Sequence, residues 1–278
     1  MAPDRGFGVA GSLSPDLIKV IAREVESAGY ATFWVNDIPG GDGLAALAAA
    51  ASVTDHIGLA VGVIALDRRP PETVISDLRQ LDLPADRLII GVGAGSSPGS
   101  LDRVQRGVEQ IRQQTSSRVV VGALGPKMLA LAGTFADGVL LNWLTPEWTH
   151  QSAAAVRAAG AVAGRPSPLI AAYVRTALGP AAKERLAEEA TRYERFPSYA
   201  AHFNRMGVDA IDTAITGSSP GAIQTGLATY RSIDEIVVRA IATGDSPAAY
   251  LTLVQAARTG VDEATTTRSW DESRSTPS

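Results

Sequence analysis

The strongest candidate for binding an anion is the run Gly122-Ala-Leu-Gly125-Pro126-Lys127. It leads from an apolar stretch into a helical pattern, so free backbone N–H groups at a helix start would stand beside a lysine ammonium, which suits a phosphate. A plain Gly-Pro helix start has the same pattern, and on pattern alone the two readings weigh evenly. In Val61-Gly62-Val63-Ile64 a glycine interrupts a β-branched run. Such a glycine marks a bulge or the close approach of a ligand, and a tight barrel corner explains it about equally well.

The remaining candidates are polar residues that follow apolar runs: Ser12, Asn36 and Asp37, Asp67 and Arg68, Ser96 and Ser97, Asn142 and Trp143, Arg175 and Thr176, Arg239 and Thr243. His56, Arg87, Arg118, Asp137 and Asp234 precede such runs and read as structural. His150 and His202 fall in helical segments expected on the outside. No HExxH or GxSxG pattern occurs, which leaves zinc hydrolysis and serine-triad chemistry without support. Lys19, Lys127 and Lys183 are the only lysines, and none lies within a strand-like run. A Schiff-base mechanism is therefore disfavoured.

These residues must be positioned by the elements between them. Short apolar runs begin near Phe7, Thr32, Ile57, Leu88, Val119, Val139, Ile170 and Ile236, at spacings of 25, 25, 31, 31, 20, 31 and 66 residues. Helical spacing fills the gaps at Pro15–Gly29, Gly43–Thr54, Pro71–Leu81, Ser100–Gln114, Pro126–Thr134, Pro146–Ala163, Pro180–Met206 and Pro220–Tyr230, and again at Pro247–Thr259. Several of these begin with proline, which suits a first helical turn. Strict alternation of strands this apolar with helices predicts a parallel sheet buried on both faces.

The predicted fold is α/β, a single (β/α)₈ TIM barrel over residues 1–260, a size typical of such barrels at about 250 residues. Extra helices are expected in the long connection between strands seven and eight, around 180–193 and 197–206. The tail 261–278, rich in Thr, Ser and charge, is expected to be disordered. An open dinucleotide-binding sheet competes poorly. Gly91, Gly93 and Gly95 are spaced GxGxG rather than GxGxxG, and Pro98-Gly99 interrupts the helix start that should receive a pyrophosphate. In the barrel, the residues leaving the strands form the active face.

Composition narrows the partners. With 45% hydrophobic and 19% charged residues the chain can bury a sizeable core. A formal charge of -4 and no basic block argue against nucleic acid. Cysteine is absent, which removes disulfides, thiolate metal sites and thiol catalysis. No secretory leader or membrane anchor is expected, and cytoplasm is the default compartment.

Five stretches carry a resemblance: Ala28-Gly-Tyr-Ala-Thr-Phe-Trp-Val-Asn-Asp37, His56-Ile-Gly-Leu-Ala-Val-Gly-Val63, Asp86-Arg-Leu-Ile-Ile-Gly-Val-Gly-Ala-Gly95, Val121-Gly-Ala-Leu-Gly-Pro-Lys-Met128 and Ala136-Asp-Gly-Val-Leu-Leu-Asn142. In this order they resemble the bacterial luciferase-like family, especially its deazaflavin-dependent actinobacterial members. Pro197-Ser-Tyr-Ala-Ala-His-Phe and Ile233-Asp-Glu-Ile-Val-Val-Arg239 extend the similarity to about residue 260.

The resemblance implies a barrel that binds coenzyme F420, or flavin mononucleotide (FMN) as the alternative, with the ring across the mouth and the phosphate near Gly125, Pro126 and Lys127. It also implies a non-proline cis peptide at Gly62-Val63, and it adds Gly93, Ala94, Asn142 and Trp143 to the cofactor-binding candidates. With F420 the chemistry would be hydride transfer to or from a small organic substrate, with Asp37 and Asn36 first, then Arg175 and Asn142, as the polar groups beside it. Several similar dehydrogenases have a histidine where this chain has Ile38, and an acid where it has Ser96-Ser97. Those departures disfavour sugar-phosphate oxidation and leave reduction of an unsaturated or carbonyl compound. The rivals are an FMN-dependent monooxygenase and a non-catalytic cofactor-binding protein. A homodimer is a further expectation from the resemblance.

Overall fold

The computed structural model describes residues 2–259, and the tail expected to be disordered lies outside them. Nine strands are present among the described residues: β1 (Asp4–Ala10), β2 (Thr32–Asn36), β3 (Gly58–Ala65), β4 (Leu88–Gly93), β5 (Arg118–Ala123), β6 (Gly138–Asn142), β7 (Leu169–Leu178), β8 (Ile215–Gly217) and β9 (Glu235–Ile241). Ten α-helices lie between or after them among the described residues, α7 and α8 in succession: α1 (Pro15–Ser27), α2 (Gly43–Ala51), α3 (Pro71–Gln80), α4 (Ser100–Gln114), α5 (Pro126–Phe135), α6 (Pro146–Val162), α7 (Pro180–Glu194), α8 (Pro197–Met206), α9 (Pro220–Leu227) and α10 (Pro247–Ala257). Eight of the ten open on proline at the first turn, where its missing N–H costs no helical hydrogen bond.

All strand pairs are parallel, and β9 pairs with both β1 and β7 while β6 pairs with β7. The eight strands β1–β7 and β9 therefore close into a barrel. The eight expected strands are all there, and the connection after β7 holds α7, α8 and α9. It also holds β8, three residues paired with the end of β7 at Thr176–Leu178. Three residues are too short to show a period, and β7, at ten residues, overshoots the barrel and offers them an edge.

Side-chain alternation sorts each strand into an outer face packed on helices and an inner face packed on itself. The inner cluster is Trp34, Ala60, Ile89, Val120, Leu140, Ala171, Tyr173 and Val237. Trp34 and Tyr173 meet edge to face at 5.7 Å, a favoured aromatic geometry, and their bulk fills the barrel's waist. Residues one alternation step further towards the strands' carboxyl ends then line the mouth: Asn36, Gly62, Gly91, Gly122, Asn142, Arg175 and Arg239.

The bulge expected at Gly62 is present: the β3–β4 register shifts between Val61 and Ile64, and the Gly62-Val63 peptide is cis. Tyr173 Oη donates to the Gly62 carbonyl at 3.3 Å. Gly91 sits directly across from this bulge, and a methyl group there would overlap the Val61 carbonyl oxygen. Because the obstacle is backbone, Gly91→Ala is expected to destabilise the protein by about 1–3 kcal/mol. At roughly 2–4 °C per kcal/mol the drop in thermal midpoint should be plain by circular dichroism, and an unchanged midpoint would show that the bulge yields.

Candidate functional site

The mouth has two unlike walls. On one side Val63 follows the bulge and points at glycines: a Cβ on Gly93 would stand 2.7 Å from Val63 Cγ2, and one on Gly122 would stand 2.9 Å from Val63 Cγ1. With Gly91 they form a wall whose relief is backbone and one valine, the shape that lets a flat ring lie against a strand. Ala94 follows this wall and is half-buried.

The opposite wall is polar. Arg175, adjacent in the sheet to Arg239, is 1% exposed. Its Nε donates to Glu189 Oε1 at 2.8 Å, and its Nη1 donates to Asn142 Oδ1 at 2.6 Å. The guanidinium lies 3.5 Å from the centroid of the Trp143 ring, which covers one of its faces, and 4.9 Å from that of Tyr193 on the same side. Arg239 places Nη2 3.9 Å from the second Glu189 oxygen and donates from Nη1 to the Ala240 carbonyl at 2.6 Å. Burial pushes the Glu189 carboxyl up, but Arg239 and Arg175 outweigh it and hold the group at about 2. Two guanidinium groups thus share one carboxylate.

Glu189 belongs to α7, which with α8 lies over the mouth rather than in the outer ring. Tyr193 packs edge to face with Phe196 and Tyr199, Phe203 does so with Trp143, and Trp143 and Tyr193 meet at a tilt. Asn142 Nδ2 donates to Tyr199 Oη at 3.3 Å. Burial keeps the Tyr173 and Tyr199 hydroxyls well above the ordinary phenol value, so both stay protonated at neutral pH. Trp143 takes a positive φ of 53°, a conformation a bulky residue adopts only where its surroundings enforce it.

His202 is on α8 as expected, yet it faces inward and is 1% exposed. Nε2 lies 2.9 Å from the Trp143 carbonyl, and Arg205 Nη2 lies 2.7 Å from Nδ1 and 2.5 Å from the Leu124 carbonyl. Burial lowers its pKa, and the neutral Nε2–H tautomer satisfies both contacts. His202 and Arg205 thereby tie the strand ends of β5 and β6 to α8. His56 and His150 are exposed.

The anion run starts α5 as the pattern allowed. Gly125 is the residue before the helix, Pro126 opens it, and no side chain caps its N–H groups. A Cβ on Gly125 would meet nothing within 4 Å, and Lys127 is exposed beside it. This end of the helix is open to an anion.

Asp37 is not brought to the polar wall. Its Oδ2 accepts from Arg68 Nη2 at 2.5 Å and its Oδ1 accepts from the Gly43 N–H at 3.0 Å, with only 3% of the side chain exposed. It braces the loop after β2 against the loop after β3. Asn36 lines the mouth, and its buried Oδ1 has no hydrogen-bond partner in the structure. Asp67 accepts from the N–H groups of Ser96 and Ser97 at 2.8 and 3.0 Å, so the serines after β4 are tied to a neighbouring loop. Glu189 and Tyr199 are the site residues that strand-end reasoning missed. A cavity of about 220 Å³ between α3, α4 and the entrance of β4 lies at the opposite end of the barrel, lined by Ile75, Leu78 and Leu83 among others. No group of three or more metal-ligating side chains occurs, and no helix is long and apolar enough to cross a membrane, among the described residues.

The family model described as luciferase-like monooxygenase matches residues 4–108 and 99–263. Similar solved structures include an F420-dependent secondary alcohol dehydrogenase in complex with an F420-acetone adduct, with a TM-score of 0.73 at 16% identity over 93% of this chain and 100% of that one. A coenzyme F420-dependent tetrahydromethanopterin reductase from Methanopyrus kandleri has a TM-score of 0.70 at 18% identity, over 92% of this chain and 98% of that one. The oxygenating constituent of 3,6-diketocamphane monooxygenase from Pseudomonas putida, in complex with FMN, reaches 0.66 at 14% identity, over 95% and 99%. Identities this low establish the common fold. No curated protein matches the chain.

Proposed function

The chain belongs to the luciferase-like monooxygenase family, and on that premise we propose that it is an oxidoreductase that uses coenzyme F420 to reduce a small unsaturated or carbonyl compound. The observation that carries the reading is the two-walled mouth. Gly91, Gly93 and Gly122 bring no side chain to one wall, where Val63 packs on Gly93 and Gly122, and an open helix start at Gly125-Pro126-Lys127 follows Gly122 along the chain. A large tricyclic ring with a phosphate-bearing tail has the matching shape and charge. The F420 dependence of the alcohol dehydrogenase and the tetrahydromethanopterin reductase supports the choice of coenzyme.

When bound, the coenzyme supplies hydride transfer at its ring carbon. The chain's own residues do the rest. The glycine wall seats the ring, and Lys127 with the N–H groups of α5 holds the phosphate. The aromatic surface of Trp143, Tyr193 and Tyr199 keeps water from the exposed face. Asn36, Asn142 and Arg175 offer the polar contacts that orient a substrate at contact distance from the ring. Tyr199, kept protonated by burial, holds a hydroxyl proton beside Asn142. Asp37 acts at one remove, by fixing the loops after β2 and β3 through Arg68.

The test is a fluorescence titration of the purified chain with coenzyme F420 and, separately, with FMN. Saturable binding of F420, weakened about tenfold in Lys127→Ala for the loss of one charge-assisted contact, is the expected result. Binding of FMN alone would replace the reading by that of a flavin monooxygenase, as in the FMN complex among the similar structures. Binding of neither would end it.

A further inference from the structure

We infer that the substrate of this mouth carries a carboxylate, taken by the unpaired hydrogen-bonding edge of the Arg175–Arg239 pair. The word substrate rests on the oxidoreductase reading above; the anion site itself does not. Three observations converge. First, Arg175 Nη2 and Arg239 Nε are buried and have no hydrogen-bond partner in the structure. Buried guanidinium N–H groups are rarely left so, because each forfeits its hydration without return, and an unmet donor therefore points to a missing acceptor.

Second, the charge does not balance. Arg175 and Arg239 face Glu189, and the other close partners of Arg175 are the neutral Asn142 and the rings of Trp143 and Tyr193. The remaining contact of Glu189 is Arg192, another cation, 4.0 Å away on the same helix and 65% exposed. One positive charge at the mouth is thus uncompensated by any carboxylate in contact with the pair. Third, the position is right. Arg175 and Arg239 are register partners on β7 and β9, one alternation step above Tyr173 and Val237, and so project from the inner face at the mouth. Tyr173 in turn reaches across to Gly62 at the foot of the glycine wall. A molecule lying on that wall would meet the arginines on the barrel's far side.

A carboxylate fits better than a larger oxyanion. The unmet donors are one N–H on each of two guanidinium groups that neighbour each other in the sheet, and a planar two-oxygen acceptor can take one bond from each. The second anion site, at α5, is open, exposed and suited to phosphate. The two sites divide the ligands by charge and size.

The experiment uses the full chain, with and without coenzyme F420, and pairs of probes that differ in charge but little in shape: acetate and acetamide, benzoate and benzamide, cinnamate and cinnamamide. Affinities are read by ligand-observed NMR and by titration calorimetry. The expected result is a preference for the carboxylate in at least one pair of about ten- to a hundredfold, the scale of one hydrogen bond to a charged group. The preference should vanish in Arg239→Gln and in Arg175→Lys, each checked as folded by circular dichroism.

No charge preference in any pair overturns the proposal, and this arm needs no variant to fold. A preference that survives in folded arginine variants also overturns it, by placing the anion at α5. Arginine variants that lose the coenzyme instead would overturn it by assigning the pair to coenzyme binding. If the chain binds neither F420 nor FMN yet keeps an arginine-dependent carboxylate preference, the oxidoreductase reading fails and the carboxylate site stands.

Discussion

Replacing Glu189 by alanine is expected to cost the protein about 3–5 kcal/mol, the range for removing one partner of a buried ion pair. The carboxylate is 13% exposed, and it faces one guanidinium that is 1% exposed and another that is 9% exposed. Without it two cations remain, near each other and shielded from water. At roughly 2–4 °C per kcal/mol the thermal midpoint should fall by about 10 °C.

The same group sets an acid limit on the wild type. Its folded value of about 2 lies below the ordinary carboxylate value of 4.5, so its stabilisation is complete above 4.5 and is lost as pH falls towards 2. That loss is worth about 3 kcal/mol. Thermal unfolding of wild type and Glu189→Ala at pH 7, 4.5 and 3 checks both statements. The gap between the two proteins should be widest at pH 7 and narrow as pH falls below 4.5. Equal midpoints at pH 7 would show that α7 is held down by its aromatic residues and not by the charge.

Glu189 also shows where sequence reading stops and why. It lies in the run Lys183-Glu-Arg-Leu-Ala-Glu-Glu189, which by composition is a solvated helix face. Its spacing says otherwise. Ala182, Leu186 and Ala190 form the buried stripe of α7, and residue 189, seven after Ala182, falls on that stripe. An acid on an apolar stripe is a signal, but its meaning depends on Arg175 and Arg239, and only the closed barrel brings those within reach.

The strands were legible because parallel barrel strands are apolar on both faces, and Gly62 was legible because it breaks such a run. Asn36, Asn142, Arg175 and Arg239 could be placed at the strand ends by parity alone. Asp37 could not be read so far. One residue beyond Asn36, it leaves the alternation of β2, and its two oxygens go to loops whose course no local pattern fixes. The position of α8 over the mouth, which turns His202 inward, was equally hidden, because a helical period says which face is buried and not what buries it.

Glu235→Gln is expected to stabilise the protein above neutral pH by about 3 kcal/mol and to do nothing near pH 4. Glu235 opens β9, and alternation with Val237 and Arg239 turns it inward, at the end of the barrel away from the site. Its Oε1 accepts from Trp34 Nε1 at 2.9 Å and from Thr32 Oγ1 in a short hydrogen bond, and Gly6 leaves room for it. Burial pushes its carboxyl up, the bonds from Thr32 and Trp34 only partly offset this, and Asp4 and Asp234 push it further, to about 7.

The sign is therefore opposite to that of Glu189. A folded value raised above the ordinary 4.5 means that the protonated form fits the fold; stability is greatest below 4.5 and declines as pH rises to about 7, beyond which the penalty is constant. The amide keeps an oxygen for the two donors and never ionises, so the variant should lack that decline. Denaturant unfolding at pH 4, 6 and 8 would show two curves that meet in acid and part above it. A variant less stable than wild type at pH 8 would mean that the barrel floor holds this carboxylate charged, with a cation or water as its partner.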